Sequence, residues 1–269
     1  MPYLCTNDGV RLSYRDEGAG PVLLILPGIA GTVAMFDRQV AGLRDRYRVV
    51  AYDHRGHGES DKPGHGYRIT RLAKDLDDLL STLDMADVTV LAWSMGCSVA
   101  WSYLDLFGPT RVSRLVLVEG HPCLCRVPGM SDEEAADVAV VFEPNAAAEF
   151  AAGLRHNQHN AMRQLARLIC TDPDTDLDWL TGELVKLPAA AAEALLFNHL
   201  IQDWRDTVRR IAVPTLVVGG GRSHVPTAAQ QWLRGAIPGA ELALLPNRAH
   251  LLFYEDPGTF NTLVRNFIG

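Results

Sequence analysis

The stretch LAWSMGCSVA, Leu91–Ala100, decides the fold. It joins an apolar run, VTVLAW, to a second run, VAWSYLDLFG, whose helical pattern ends at a Gly-Pro pair. Ser94 stands at the junction, between Ala92 and Gly96, and such small residues let a strand and a helix approach closely. The pattern predicts a sharp strand–turn–helix junction that presents the Ser94 hydroxyl at the end of a strand. Close packing of the two elements alone is the alternative explanation.

A nucleophilic role for Ser94 requires further groups. A serine hydroxyl attacks a carbonyl group only when a base takes its proton and hydrogen-bond donors receive the oxyanion that forms. The helix after Ser94 begins with the N–H of Met95, and the loop LPGIAGT (26–32) supplies the N–H of Ile29. We expect these two N–H groups to form an oxyanion hole beside Ser94.

The runs on either side of this junction indicate an α/β fold. Asn7, Asp8 and Gly9 form a hairpin signal near the start of the chain. Short runs rich in Val, Leu and Ile then indicate buried parallel strands: PVLLILPG (21–28), RYRVVAYD (46–53), VTVLAW (88–93), RLVLVEG (114–120) and PTLVVGG (214–220). Helical patterns alternate with them. We therefore predict a mostly parallel sheet covered by helices on both faces, with ligands bound at the carboxyl ends of the strands.

One interval breaks the alternation of strands and helices. Residues 120–211 contain no convincing strand, only Ala- and Leu-rich helical patterns with polar breaks such as TDPDTD. We predict a core domain made of residues 1–119 and 212–269, and a helical lid inserted at 120–211 over the strand ends.

Composition excludes several classes of function. The 269 residues are 48% hydrophobic and carry a formal net charge of −7, which disfavours nucleic acid and anionic membranes as partners. With no signal-peptide pattern and no long apolar run, we expect a soluble cytoplasmic protein that acts on a small molecule. The five scattered cysteines fit neither a disulfide framework nor a zinc site, so we expect no metal and no cofactor.

Four motifs in order carry a family resemblance: LPG, DHRGHGES (53–60), AWSMG (92–96) and AHLLFYEDP (249–257). The chain resembles the α/β-hydrolase fold family over nearly its whole length, apart from the inserted lobe. The resemblance implies a nucleophile, an acid and a histidine in that chain order, which Ser94, a later acid and His250 satisfy. It also implies that Asp53, in the second motif, organises its own loop.

The acid is not at its usual position in this family. The loop after TLVVGG holds Gly221, Arg222, Ser223 and His224, and an uncharged Ser223 is expected to have little influence on activity. Glu119 ends the preceding strand RLVLVEG, and the carboxyl ends of neighbouring parallel strands converge on one rim. Zearalenone-type lactonases and certain cofactor-free dioxygenases resemble this arrangement. We therefore predict that Glu119 orients His250; an ion pair between Glu119 and Arg126 or another cation is the alternative.

Substrate-binding residues are harder to predict. We expect Trp93 beside the nucleophile, His121 near the pocket mouth, and Phe197, His199 and Trp204 from the segment FNHLIQDWRD (197–206) to line an apolar pocket. Ordinary helix packing explains that segment equally well, and a solvated or hydrogen-bonded side chain is the alternative for His121.

Together these residues predict a cofactor-independent serine hydrolase that cleaves a carboxylic ester or lactone of a small, mostly apolar molecule. A serine at the nucleophile position disfavours the chemistry that this fold performs with a carboxylate nucleophile. Two other classes stay open. One is an oxygenase or perhydrolase in which His250 and Glu119 deprotonate the substrate while Ser94 only hydrogen-bonds it; the other is a non-catalytic ligand receptor.

Overall fold

A computed structural model describes residues 1–269, apart from the side chain of residue 156. Its centre is an eight-stranded sheet in the order β1-β2-β4-β3-β5-β6-β7-β8. The strands are β1 Tyr3–Cys5, β2 Arg11–Glu17, β3 Val22–Leu26, β4 Arg48–Tyr52, β5 Val88–Trp93, β6 Val112–Val118, β7 Thr215–Gly220 and β8 Glu241–Leu245. The β1–β2 and β2–β4 pairs are antiparallel, and the other neighbouring strands pair in parallel. The predicted α/β class and mostly parallel sheet are confirmed.

Helices cover both faces of this sheet because the side chains of each strand alternate between the faces. Leu23 and Ile25 of β3 belong to one buried apolar cluster, whereas Leu24 and Leu26 belong to the other. The helices of the core are α1 Asp37–Leu43, α2 Ile69–Thr82, α3 Met95–Phe107, α10 Thr227–Ala236, α11 Leu252–Glu255 and α12 Pro257–Ile268, with a short 3-10 helix at Val33–Phe36. Helices α1 and α12 pack on the first face, and α2, α3 and α10 pack on the second.

Between β6 and β7 the chain forms six helices. They are α4 Asp132–Asp137, α5 Pro144–His156, α6 Gln158–Ile169, α7 Leu177–Leu184, α8 Ala189–Leu200 and α9 Arg205–Val208. In the described part of this interval, β-structure is limited to two isolated bridges, one joining Cys123 to Asp203 and one joining Cys125 to Phe142. Buried residues of α5, α6, α7 and α8 belong to the same apolar cluster as the first face of the sheet.

The parallel strands bring their carboxyl ends to one edge of the sheet. In the pairing register Leu26 lies beside Ala92, Trp93 beside Val118, and Val118 beside Val218. The residues that follow β3, β5, β6 and β7 therefore emerge side by side. Among the described residues, no helix has the length and apolar character needed to cross a membrane.

Candidate active site

Ser94 lies at the junction of β5 and α3 in a conformation that L-residues rarely adopt. Its φ and ψ angles are 55° and −121°; such a conformation costs about 1–3 kcal/mol and persists only where the surrounding structure enforces it. Its N–H donates to the Val118 carbonyl at 2.8 Å. A Cβ at Gly96 would lie 2.5 Å from the Leu26 carbonyl oxygen, so only glycine allows α3 to approach β3 this closely. The predicted junction is present. The hydrogen bond to Val118 and the close packing of α3 on β3 maintain its strained conformation.

Glu119 follows the neighbouring strand β6 and is almost fully buried, with 1% of its surface exposed. Its φ of 56° is also positive. Oxygen Oε1 accepts the Gly220 N–H at 2.6 Å, and Oε2 lies 2.9 Å from Nδ1 of His250. The alternative ion pair with Arg126 is not formed, because that guanidinium pairs with Asp132 and Glu143 instead.

His250 occupies the loop after β8, and its position is set from two sides. Glu119 holds Nδ1, and the indole Nε1–H of Trp93 donates to the His250 carbonyl at 3.0 Å. An ionised carboxylate can only accept, so the shared proton of this pair is carried on Nδ1. The lone pair is then on Nε2, which is the form of the ring that accepts a proton.

Burial acts on both members of this pair. It raises the pKa of Glu119 to about 7, against the opposing hydrogen bonds that the carboxylate accepts from Ser223 and Gly220. It lowers the pKa of His250 below its ordinary value. An imidazolium ion in this position is therefore unstable without the charge of Glu119, and the pair titrates as a unit.

Ser223 joins the same hydrogen-bond network, which our reading of the sequence missed. Its hydroxyl donates to Oε2 of Glu119, lies 3.4 Å from Nδ1 of His250, and accepts the Val225 N–H at 3.1 Å. The expectation that Ser223 has little influence on activity rests on its lack of charge, and the sequence alone does not show this contact. Its place in the loop after β7, next to the strand that ends at Glu119, was the available signal.

The two predicted oxyanion donors belong to the helix that follows Ser94 and to a loop that lines the same cavity. Met95 is the first residue of α3, where a backbone N–H has no acceptor within the helix. The N–H of Ile29, in the loop after β3, has no backbone acceptor in the described part of the chain. Ile29 also lines the cavity that contains Ser94. The geometry is compatible with an oxyanion hole at this point.

Asp53 and His54 fix the loop that carries Ile29. The Asp53 carboxylate accepts the N–H of Val33 at 2.8 Å and that of Glu59 at 2.9 Å, which ties the loop after β3 to the loop after β4. Nε2 of His54 lies 3.1 Å from the carbonyl oxygen of Pro27. The organising role predicted for Asp53 is confirmed by these bonds.

A cavity of about 650 Å³ opens beside Ser94, Glu119 and His250. Trp93, His121 and His199 line it, as we expected, and so does His224, whose ring centre is 4.4 Å from that of His250. The remaining wall is mostly apolar and comes from the helices between β6 and β7. This volume lies in the ordinary range for small-molecule sites, about 300–1,000 Å³.

The histidines of this wall are uncharged near neutral pH. Burial lowers the pKa of His121 to about 4 and that of His199 to about 3. Nε2 of His121 lies 3.0 Å from the Ala139 carbonyl oxygen, and Nδ1 of His199 lies 3.2 Å from the hydroxyl of Ser98. His121 therefore lines the cavity and is also hydrogen-bonded.

Two predicted pocket residues are not in the cavity wall. Phe197 is 40% exposed on α8, because the cavity-facing positions of that helix are Leu196, His199 and Leu200, and Phe197 lies on another side. Trp204 precedes α9 and packs against Trp101 with ring centres 6.4 Å apart, in the apolar cluster on the other face of the sheet. Helical spacing in FNHLIQDWRD could not show which side faces the cavity.

Among the described residues, no three or more His, Cys, Asp or Glu side chains are grouped so as to hold a metal ion. The arrangement therefore presents a hydroxyl, an imidazole and a carboxylate in an apolar cavity. These groups can transfer a proton between the imidazole and a bound molecule.

Comparisons with known proteins agree with this fold. Residues 21–257 match the family described as alpha/beta hydrolase fold. The chain is 29% identical over 260 residues to non-heme chloroperoxidase CPO-A1 of Kitasatospora aureofaciens, covering 93% of this chain and 92% of that protein. An esterase of Exiguobacterium antarcticum has a TM-score of 0.91 at 23% identity, covering 99% of both chains, and shows the fold alone. Esterase RhEst1 of Rhodococcus sp. ECU1013 has a TM-score of 0.82 at 26% identity, covering 99% of this chain and 98% of that one.

Proposed function

The chain belongs to the α/β-hydrolase fold family, and from this premise we propose that it is a serine hydrolase that cleaves a carboxylic ester or lactone through an acyl-enzyme. The observation that carries the proposal is the 2.9 Å contact between Nδ1 of His250 and the Glu119 carboxylate, at the wall of the cavity that contains Ser94. Similarity to esterase RhEst1 supports the choice of an ester.

Each side chain has one role in the proposed acylation step. Nε2 of His250 takes the proton of the Ser94 hydroxyl while Oγ forms a bond to the carbonyl carbon. The carbonyl oxygen becomes an oxyanion, which the N–H groups of Ile29 and Met95 stabilise. Glu119 stabilises the imidazolium that forms. Collapse of the intermediate breaks the bond to the alkoxy group, which leaves as an alcohol with the proton from His250.

Deacylation repeats these roles with water. His250 takes a proton from a water molecule, whose oxygen attacks the acyl carbon, and then returns that proton to Oγ of Ser94 as the carboxylic acid leaves. In a lactone the alcohol and the acid are parts of one molecule, so a single hydroxy acid is released. No cofactor takes part in the proposed reaction.

We further propose that residues 120–211 act as a lid over the core domain of residues 1–119 and 212–269. Helices α5, α6 and α8 supply most of the apolar wall of the cavity, whereas the core supplies Ser94, Glu119 and His250. A lid of this kind keeps water away from the acyl carbon until the substrate is bound.

Labelling of the serine tests the proposal. Incubation with a fluorophosphonate should add one phosphonyl group to the intact protein, as measured by mass spectrometry, together with loss of p-nitrophenyl ester hydrolysis. Ser94→Ala should abolish both the adduct and the hydrolysis. Ser102→Ala, which removes another buried hydroxyl from α3, is the matched control and should keep both. An adduct that persists in Ser94→Ala would refute the role of Ser94.

The similarity to a protein named non-heme chloroperoxidase favours one second candidate, perhydrolysis. Hydrogen peroxide in place of water would attack the acyl-enzyme, which releases a peracid instead of an acid. Turnover measured with and without peroxide distinguishes hydrolysis from perhydrolysis. Product formation that requires peroxide would favour the second candidate, whereas ligand binding without labelling or turnover would favour a ligand receptor.

A further inference from the structure

The cavity beside Ser94 continues between the helices that follow β6. Beyond the histidines, its wall includes apolar side chains from three helices: Leu154 of α5, Ala161, Met162, Leu165 and Ile169 of α6, and Leu196 and Leu200 of α8. These side chains offer no hydrogen-bond donor to a polar substrate group. Burial of such a group there would cost free energy, whereas burial of methylene groups is favourable.

The same cavity reaches the protein surface between α5 and α6. Three large apolar side chains in its wall are unusually exposed: Val141 at 46%, Phe150 at 47% and Leu168 at 46%. Glu149 and Gln164 are the exposed polar residues of this rim. A group of exposed apolar side chains around an opening is typical of a ligand entrance.

Charge in the wall limits what can enter. The described residues of the cavity wall include no Lys or Arg, and the carboxylates present are those of Glu119 and Glu149. A free carboxylate or phosphate at the end of a bound chain would therefore meet no cation. Burial lowers the pKa values of His121, His199 and His224, so these histidines supply no cation near neutral pH.

One wall residue leaves space that a side chain would fill. Gly153 lies within α5 and lines the cavity, yet a Cβ added there would have no heavy atom within 4 Å. Glycine inside a helix is less stable than alanine by about 0.5–1 kcal/mol. Because Gly153 is part of the cavity wall, a larger side chain there would take space from a bound molecule.

We propose that the substrate of this hydrolase carries an uncharged aliphatic chain, which lies between α5 and α6 past Gly153 while the ester carbonyl lies at Ser94. This inference rests on the proposed function and deepens it, because it names the class of ester. The helices of the lid then determine which chain lengths are accepted, whereas the side chains that carry out the reaction belong to the core.

A series of p-nitrophenyl esters from acetate to dodecanoate tests the proposal. In the wild-type protein, kcat/KM should rise about fourfold for each added methylene, which corresponds to about 0.8 kcal/mol per buried CH₂, until the chain passes the rim. Gly153→Leu should lower kcat/KM for decanoate by roughly tenfold or more, the equivalent of two methylenes, and should lower it much less for acetate.

Gly182→Leu is the matched control. Gly182 is also exposed inside a helix, α7, and a Cβ there also meets nothing within 4 Å, but it is not part of the cavity wall. This variant should reproduce the wild-type series. Equal rates for all chain lengths in the wild-type protein, or an unchanged series in Gly153→Leu, would overturn the proposal and leave the hydrolase assignment intact.

Binding of methyl ketones separates this proposal from the proposed function. 2-Pentanone and 2-undecanone contain no bond for the enzyme to cleave, so calorimetry reports their affinity whether or not any ester is hydrolysed. Tighter binding of the longer ketone, weakened at least about tenfold by Gly153→Leu, would support the chain site even in a protein without hydrolase activity. Equal affinity for both ketones would refute the site.

Discussion

Replacement of Ser223 tests how the buried pair of Glu119 and His250 holds its protons. With one shared proton, on Nδ1, the imidazole has a free lone pair on Nε2 and is an active base. A second proton inactivates the imidazole. The pair then consists either of an imidazolium and a carboxylate or of a neutral imidazole and a carboxylic acid, and in both cases Nε2 carries a hydrogen. Ser223→Ala removes a hydrogen bond that stabilises the ionised carboxylate.

The size of the effect follows from that one bond. A hydrogen bond to a charged group contributes about 1.5–3 kcal/mol, and one pKa unit corresponds to about 1.4 kcal/mol. The pKa of Glu119, already raised to about 7 by burial, rises further when the hydroxyl is lost. The acidic limb of the kcat/KM profile should therefore move upward by about one to two pH units. The carboxylate is ionised in both the ground and transition states on the alkaline plateau, so the plateau should stay within about tenfold of wild type.

Initial rates of p-nitrophenyl ester hydrolysis would measure the position of the acidic limb and the height of the plateau. A range of roughly pH 5 to pH 9 includes both the ordinary pKa of histidine and the raised pKa of Glu119. Ser102→Ala is again the control, because it removes a buried hydroxyl from α3, and its pH profile should match that of the wild type. A Ser223→Ala profile that is uniformly lower, with its acidic limb in place, would refute the reasoning and reduce Ser223 to a packing residue.

Two further predictions concern stability. Asp75→Asn should lower the free energy of unfolding by about 3–5 kcal/mol, measured by urea denaturation, because Asp75 and Arg55 form a fully buried ion pair at 2.6 Å; a loss below 1 kcal/mol would contradict this. Acid should also destabilise the fold: burial lowers the pKa of His54 to about 3 and of His57 to about 4, from 6.5. The unfolded chain then binds these protons first, so stability present above pH 6.5 is lost as the pH falls from 6.5 towards the folded values, by about 2 kcal/mol for each histidine at pH 5. Equal urea midpoints at pH 7.5 and pH 5 would contradict it.

The sheet and the junction at Ser94 could be predicted because each depends on local signals. Runs of buried Val, Leu and Ile mark parallel strands wherever they occur, and a small residue on each side of a serine marks a tight turn. Glu119 required one more step, namely that neighbouring parallel strands end at the same edge. The narrower resemblance to zearalenone-type lactonases stays a prediction.

The side chains of the inserted helices could not be assigned in the same way. Leu196, Phe197 and Leu200 are all apolar, and each of them could face the cavity, a neighbouring helix or solvent. Only the direction of α8 over the sheet decides which positions face the cavity, and that direction depends on contacts distant in the chain. Ser223 was missed for a related reason, because a hydroxyl has a role only through the partners that the fold places beside it.

The contacts of Ser223 imply that the acid of this site can be moved to the neighbouring strand. Strands β6 and β7 are adjacent and parallel, and Ser223, after β7, lies 3.4 Å from the same Nδ1 atom that Glu119 contacts from β6. Glu119→Gln should lower kcat by about 10⁴-fold, since an amide no longer imposes the active tautomer of His250 or stabilises its imidazolium. Adding Ser223→Asp to that variant should recover at least about 10²-fold of the loss. The matched double variant Glu119→Gln/Ser223→Asn has the same shape without the charge, so equal activity of the two double variants would show that a carboxylate after β7 does not reach His250.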